Sequence, residues 1–305
     1  MRAGWTSWGA CLALAFVAGC GTDQAAVEPA AVKAPVKVGR CLLKYPHVHA
    51  GRVARARLGK DLARYVSGRP GHVAYAALDL VSGVRLAQGE HERDVIIAGG
   101  AKVDIVTALL QRRTGALGKE ELDLAARMIK KSEDKAADAL WSRIGAGGAM
   151  SEFYRQVGLK ETTPGPGDHW GGTRTSPADR VRLLKVLIKG GRGLSVHDRR
   201  LVLRLMSQVV RDQAWGVSAA ARPVDRVALK NGWTRRPFES GTWAVTSYGR
   251  VAGPGRDLLL SVQTDGQPEE GTGRATIEGI ARMIGARLDS LSPTVVRLCP
   301  THAFA

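Results

Sequence analysis

The feature that most constrains this chain is a hydrophobic period that changes twice along it. Residues 72–80 and 84–88 alternate apolar with polar side chains, the two-residue repeat of a half-buried strand, and Val81-Ser82-Gly83 between them is a turn. A short third strand is predicted over 94–97. Past Lys102 the repeat becomes helical: Val103, Val106 and Leu110, with Ile105 and Leu109 beside them, then Leu122, Ala126 and Ile129, then Ala137, Leu140, Trp141 and Ile144, closed by Gly145. Further helices are predicted over 150–157, 177–188 and 197–210. The strand repeat then returns over 241–251 and 257–264, joined by the hairpin signal Ala252-Gly253-Pro254-Gly255-Arg256. A basic amphipathic helix over 53–65 precedes the first strands and stops at Ser67-Gly68-Arg69-Pro70-Gly71. A closing helix over 274–288 follows the last strands, with Ile277, Ala281, Ile284 and Leu288 on one face. The Pro- and Gly-rich stretch 163–175 is a loop, and 212–226 is irregular. Two groups of strands separated by helices are best buried as one antiparallel sheet, so the expected class is α+β: an antiparallel sheet flanked by helices, with an inserted helical subdomain. The apolar content of 44% is enough for a sizeable core.

The N-terminus is a different kind of sequence. Arg2 is followed by an apolar run over 10–17, too short to span a bilayer, that ends in Val17-Ala18-Gly19-Cys20. A basic start, a short apolar centre and small residues before a cut site describe a secretory signal. The cysteine directly after Ala-Gly resembles a bacterial lipoprotein signal, in which Cys20 becomes the lipidated first residue; the alternative is a plain signal cut nearby, with Cys20 an ordinary thiol. Residues 21–39 are rich in Ala, Val, Pro and Lys without a period, as in a flexible tether. The expected organisation is a lipoprotein signal over 1–19, a tether over 20–40 and one folded domain over 41–305. The expected location is the outer face of a bacterial cell membrane, reached by export and held by a lipid anchor rather than a spanning helix.

Four cysteines are present, and Cys11 and Cys20 belong to the leader. Cys41 and Cys299 remain, one at each end of the folded domain. In an oxidising compartment they are expected to form a disulfide tying the termini together, worth about 4–5 kcal/mol by chain entropy; two free buried thiols are the alternative.

The formal net charge of +17 favours anionic partners. Export argues against nucleic acid, and the basic residues are scattered with few aromatics among them, so no stacking platform for single strands is present. A solvated basic surface is the expected reading, and anionic envelope polymers or lipids as partners are the alternative. No cofactor is called for. His47 and His49 share metal-ligand spacing but lack a third ligand, so no metal site is expected. No P-loop or dinucleotide fingerprint, internal repeat or transmembrane segment is visible.

Three short motifs carry the chemistry: Gly99-Gly100-Ala101-Lys102 at a helix start, Ser132-Glu133-Asp134 in the helical block, and Lys230-Asn231-Gly232-Trp233 before the last strands. In their order and separation they resemble the class A β-lactamase and penicillin-binding-protein superfamily, and more closely its envelope serine-hydrolase lipoproteins. The resemblance covers 52–288. That family carries S-x-x-K, S-D-N and K-T-G or K-S-G. Positions three apart share a helix face, so in the family the lysine takes the proton of the serine hydroxyl. Here Lys102 is kept, but Gly99 stands at the nucleophile position and has no hydroxyl. Gly99 still has the backbone N–H that the family uses in its oxyanion hole, and Trp233 is expected to supply the second one.

The resemblance implies that Lys102, Ser132 and Lys230 hold the family's catalytic positions, and that Asp134, Asn231 and Gly232 contact substrate. Asp134 departs from the family by exchanging an amide for a carboxylate, which only accepts hydrogen bonds when ionised. Each motif also has a plain structural reading: Lys102 as a surface lysine, Ser132 as a helix cap, and Asn231-Gly232 as a hairpin turn. The family's β-lactamases keep a glutamate and an asparagine on a long loop to activate the deacylating water. Here that loop is short, Glu161 lies before it without the motif, and Trp170-Gly171-Gly172-Thr173-Arg174-Thr175 looks specific to a branch of the family. The expected function is therefore an exported lipoprotein with a β-lactamase-like fold that has lost acylation chemistry and binds a β-lactam, peptidoglycan-like or other envelope ligand in its cleft. The alternative is a working serine hydrolase whose nucleophile is displaced to Ser132.

Overall fold

A computed structural model of the chain describes residues 36–38, 41–44, 48–113, 115–236, 241–291 and 296–298. The leader, Cys20 and Cys299 lie outside the described residues. The elements in order are β1 (Val36–Val38), β2 (Cys41–Lys44), α1 (Val48–Ser67), β3 (His72–Asp79), β4 (Arg85–Gln88), β5 (Val95–Ile96), α2 (Lys102–Gln111), α3 (Lys119–Lys130), α4 (Asp134–Ile144), α5 (Ala146–Val157), β6 (Arg174–Thr175), α6 (Pro177–Lys189), α7 (Val196–Met206), β7 (Arg226–Arg236), β8 (Thr242–Gly253), β9 (Arg256–Gln267), α8 (Glu270–Leu291) and β10 (Val296–Leu298).

The main sheet has the order β4-β3-β9-β8-β7, with every pair antiparallel. Early strands β3 and β4 and late strands β7 to β9 thus share one sheet, with α2 to α7 as the insertion between them. The sheet is buried on both faces, so β3 and β9 are covered on both sides rather than half-buried as an alternating repeat would have them. Side chains alternate across a strand. Leu258, Leu260 and Val262 of β9 face a core with Leu58 and Leu62 of α1 and Ile277, Ile280 and Ile284 of α8. Leu259 faces the opposite core, built with α2 to α7.

Most predicted elements are present, and the differences are informative. The stretch 226–236 is a full strand, as the family resemblance implies, and not the hairpin turn of the plain reading: Asn231 and Gly232 pair with Ser247 and Thr246 of β8. Their turn chemistry is overridden by eleven residues of ladder pairing and by burial at the sheet's edge. The face of α3 is also shifted. Leu122 is 40% exposed, and Leu124, Ala125, Met128 and Ile129 are the residues that face the core. Helix α7 stops at Met206 rather than 210. Strand β1 falls inside the stretch read as tether. It joins β2 and β10 in a small sheet in which Leu42 pairs with Leu298, so the two ends of the domain meet one residue short of Cys41 and Cys299.

Candidate active site

The site is built where β5, α2, the α3–α4 junction and β7 converge. Ile97 donates its backbone N–H to the Thr173 carbonyl at 2.9 Å, and the chain then makes a single 3-10 turn, Ala98–Ala101, that runs directly into α2. Ala98 is in the left-handed region at φ 43°, immediately before Gly99. On the other side, β7 presses against this turn. A Cβ on Gly232 would lie 2.0 Å from the Ile97 carbonyl oxygen and 2.6 Å from the Gly100 nitrogen. Only glycine permits that approach. Tyr248 of β8 fastens the turn from below, donating its hydroxyl to the Gly100 carbonyl at 2.9 Å.

The three motifs meet at Ser132. Lys102, at the first position of α2, is buried to 1% exposure, so it is not a surface lysine. Its Nζ donates to the Ser132 carbonyl at 2.6 Å, to Ser132 Oγ at 3.1 Å and to Asp134 Oδ1 at 2.6 Å. Lys230 Nζ reaches the same Oγ at 3.0 Å and also donates to the Asn231 carbonyl at 2.8 Å. Ser132 is therefore not a helix cap. Glu133 holds that position without a side-chain cap, and Ser132 sits in the left-handed region at φ 58° with its hydroxyl turned into the cleft. Gly99 lies opposite. A Cβ built on it would be 3.2 Å from Ser132 Oγ and 3.2 Å from the Asn231 carbonyl.

The two amines differ electrostatically. Burial pulls the pKa of Lys102 down, and the Asp134 carboxylate pushes it back toward its ordinary value. Asp134 is largely exposed and closes over the buried ammonium from the rim. Lys230 has no carboxylate bonded to it; burial, then repulsion from Lys102, lowers it to about 7. The cleft between them has a volume of about 540 Å³ and is also lined by Gly99, Gly232, Trp233 and Thr234.

Some site residues carry little signal in the sequence. Trp170 lies under Lys102, with Nζ 4.8 Å from its ring centroid, and its Nε1 donates to Asp138 Oδ1 at 2.7 Å. Gln213 and His169 also line the cleft. Trp170 and His169 belong to an irregular loop, where no periodicity marks which side chain points inward. Conversely, Asn231 does not present its side chain to a substrate. Its Nδ2 donates to the Gln213 carbonyl at 2.8 Å and to the Trp215 carbonyl at 3.2 Å, so only its backbone carbonyl faces the site. Strand alternation sends Lys230 to one face and Asn231 to the other. Glu161 is likewise committed elsewhere, accepting from Ser176 Oγ at 2.9 Å and pairing with His91 and Arg182.

A model of the family described as the beta-lactamase enzyme family matches residues 120–288, more than half of the chain. The chain belongs to that family. Within the beta-lactamase enzyme family the fold is the β-lactamase/transpeptidase one. The structure named PBP-A superposes with a TM-score of 0.66 at 20% identity, covering 77% of this chain and 97% of that one. The reconstructed class A β-lactamase of the last common ancestor of Gram-negative bacteria gives a TM-score of 0.63 at 22% identity, covering 76% of this chain and 99% of that one. Among curated sequences, the protein of Mycobacterium tuberculosis named "Putative lipoprotein LppW" is 26% identical over 247 residues, 78% of this chain and 76% of that protein. A protein of the same name from Mycobacterium bovis matches to the same extent.

Proposed function

We propose that this family member is an exported, lipid-anchored binding protein that has kept the cleft of a serine hydrolase and lost its acylation chemistry. The observation that carries this reading is Gly99. At the start of α2, facing Ser132 and Lys230, the chain has no side chain and hence no nucleophile. Two further features support it. Asp134 accepts a hydrogen bond from Lys102 and favours its ammonium form, against the burial that lowers its pKa. Glu161, just before the short loop, is bonded away from the cleft.

What remains is suited to recognition. Thr234 lines the cleft and offers a hydroxyl to a carboxylate, Lys230 supplies positive charge from just behind Ser132, its Nζ 3.0 Å from Ser132 Oγ, and Gly99 and Trp233 border the same space. The ligand class is a β-lactam or a carboxylate-ended, peptidoglycan-like peptide. Incubation with a fluorescent penicillin should give no covalent band. Titration with a short peptidoglycan stem peptide should raise Tm in proportion to occupancy. A stoichiometric covalent label, lost after prior denaturation, would overturn the reading.

A second reading is favoured by one observation: Ser132 Oγ lies within hydrogen-bond reach of both lysines, and Lys230 is an amine that is partly neutral near pH 7. On that reading Ser132 is the displaced nucleophile and Lys230 its base. Turnover of ester or β-lactam substrates that disappears in Ser132→Ala would establish it; equal background rates in both proteins would end it.

Export and anchoring at the outer face of the membrane belong to the same proposal. They rest on Val17-Ala18-Gly19-Cys20 and on the lipoprotein relative. Incorporation of a fatty-acid probe that is lost in Cys20→Ala tests them. The disulfide between Cys41 and Cys299 is supported by the β2–β10 register and is tested by a mobility shift on reduction.

A further inference from the structure

We propose that the exposed face of α1 is a docking surface for an anionic lipid bilayer. This helix contains Arg52, Arg55, Arg57, Lys60 and Arg64, against a single acid, Asp61. A helix N-terminus carries partial positive charge and is stabilised by acids in its first turn. Helices α2, α3, α4, α6, α7 and α8 each place an acid there. Helix α1 has none in its first turn and has three arginines in its first half, so its sequence works against its own dipole. α5 also lacks an acid there, but its only basic residue is in its last turn, where the dipole welcomes it.

Most of these charges are not neutralised by an acid. Asp61 is shared by Arg64 and Arg287 and also feels Arg57, Arg52 bonds to the His49 ring at 3.0 Å, and Arg55 donates to the Leu291 carbonyl. Arg52, Arg57 and Lys60 are exposed and make no ion pair among the described residues. Val53 stands among them at 53% exposure, beside a shallow groove of about 730 Å³ between α1 and the end of α8. A free basic stripe with an exposed apolar residue in it is what an interfacial helix presents to lipid headgroups.

Position in the chain names the occupant. Helix α1 begins at Val48, 28 residues after Cys20. Strand β1 takes up the chain from Val36, and the 16 residues from Cys20 to Val36 reach at most about 55 Å fully extended, so an anchor at Cys20 would hold this face at high local concentration beside the bilayer. The inference uses the anchor of the proposed function only to bring this face to the membrane, and the test removes the anchor.

The full chain carrying Cys20→Ser is sedimented with vesicles of phosphatidylcholine alone or mixed with phosphatidylglycerol. It should bind the anionic vesicles, with binding reversed by salt, and ignore the neutral ones. R52E/R57E/K60E, which removes three basic residues and adds three acids, should bind the anionic vesicles well over 100-fold more weakly, at roughly fivefold for each basic residue removed. K185E/K189E/R200E, on exposed positions of α6 and α7, makes the same change in net charge and should bind as the parent does. R52Q/R57Q/K60Q, with no introduced acid, should show an intermediate loss, and unchanged Tm values confirm that the variants fold. Equal loss in the α6/α7 variant would reduce the effect to net charge and overturn the proposal. So would binding to a soluble anionic polymer without binding to anionic vesicles.

Discussion

The ammonium of Lys102 and the carboxylate of Asp134 meet at 2.6 Å, the first buried and the second 74% exposed. The pair ties α2 to the start of α4 and favours the ammonium form of the lysine that a serine nucleophile would need as its base, against the burial that lowers its pKa. Gly99→Ser alone should therefore be acylated slowly by a fluorescent penicillin, and adding Asp134→Asn should speed labelling. Asp134→Asn by itself should cost only about 1 kcal/mol in urea unfolding, because the carboxylate it replaces is largely solvated.

Lys230 sets the pH dependence. Its folded-state pKa of about 7 lies below the ordinary 10.5. Between these values the unfolded chain binds the proton that the folded chain has released, so the contribution of Lys230 to stability rises with pH from about 7 to about 10. Lys230→Met should accordingly be more stable than wild type near pH 6, by a few kcal/mol at most, and the advantage should disappear near pH 10. Unfolding curves at the two pH values measure this directly.

The same titration governs ligand binding. A carboxylate ligand is held by the protonated amine, so affinity should be greatest below about pH 7 and fall about tenfold for each further unit above it. Calorimetric titration with a stem peptide at pH 6 and pH 9 checks this, and Lys230→Met should flatten the profile.

The site was partly legible in the sequence. Lys102, Ser132 and Lys230 converge as the resemblance to the family implies. Two kinds of residue were less legible. Trp170 is marked in the sequence only as part of a branch-specific loop, because its orientation follows from tertiary packing around Trp141 and Asp168 rather than from a repeat. Asn231-Gly232 carries local turn chemistry, and pairing with Ser247 and Thr246 across the β7–β8 hairpin makes it strand instead. Asp134 was legible as an oddity but not as the partner of Lys102, since a contact across thirty-two residues has no local signature.

Gly232→Ala should be among the most damaging small changes. Its Cβ would collide with the backbone of Ile97 and Gly100, neither of which is the end of a flexible side chain. Loss of about 3 kcal/mol or more is expected, with loss of ligand binding, as the cleft floor is pushed apart. Thermal unfolding and binding should fail together.

Beneath the site, Asp104 of α2 and Arg180 of α6 form an ion pair at 2.6 Å with both side chains fully buried. Removing either partner strands the other charge. Asp104→Ala should cost about 3–5 kcal/mol, while replacing both residues by apolar ones of similar volume should cost much less. A double-mutant cycle in urea resolves the two.

The central claim is that an intact acyl-transfer cleft has lost its nucleophile at Gly99. A Cβ there meets Ser132 Oγ and the Asn231 carbonyl at 3.2 Å, close enough to need an adjustment of a few tenths of an ångström and no more. The most direct measurement is fluorescent-penicillin labelling of wild type and G99S/D134N, followed by peptide mapping. The account predicts no label on wild type and a stoichiometric label at position 99 of the double variant. A label on wild type mapping to Ser132, or none on a folded double variant, would contradict it.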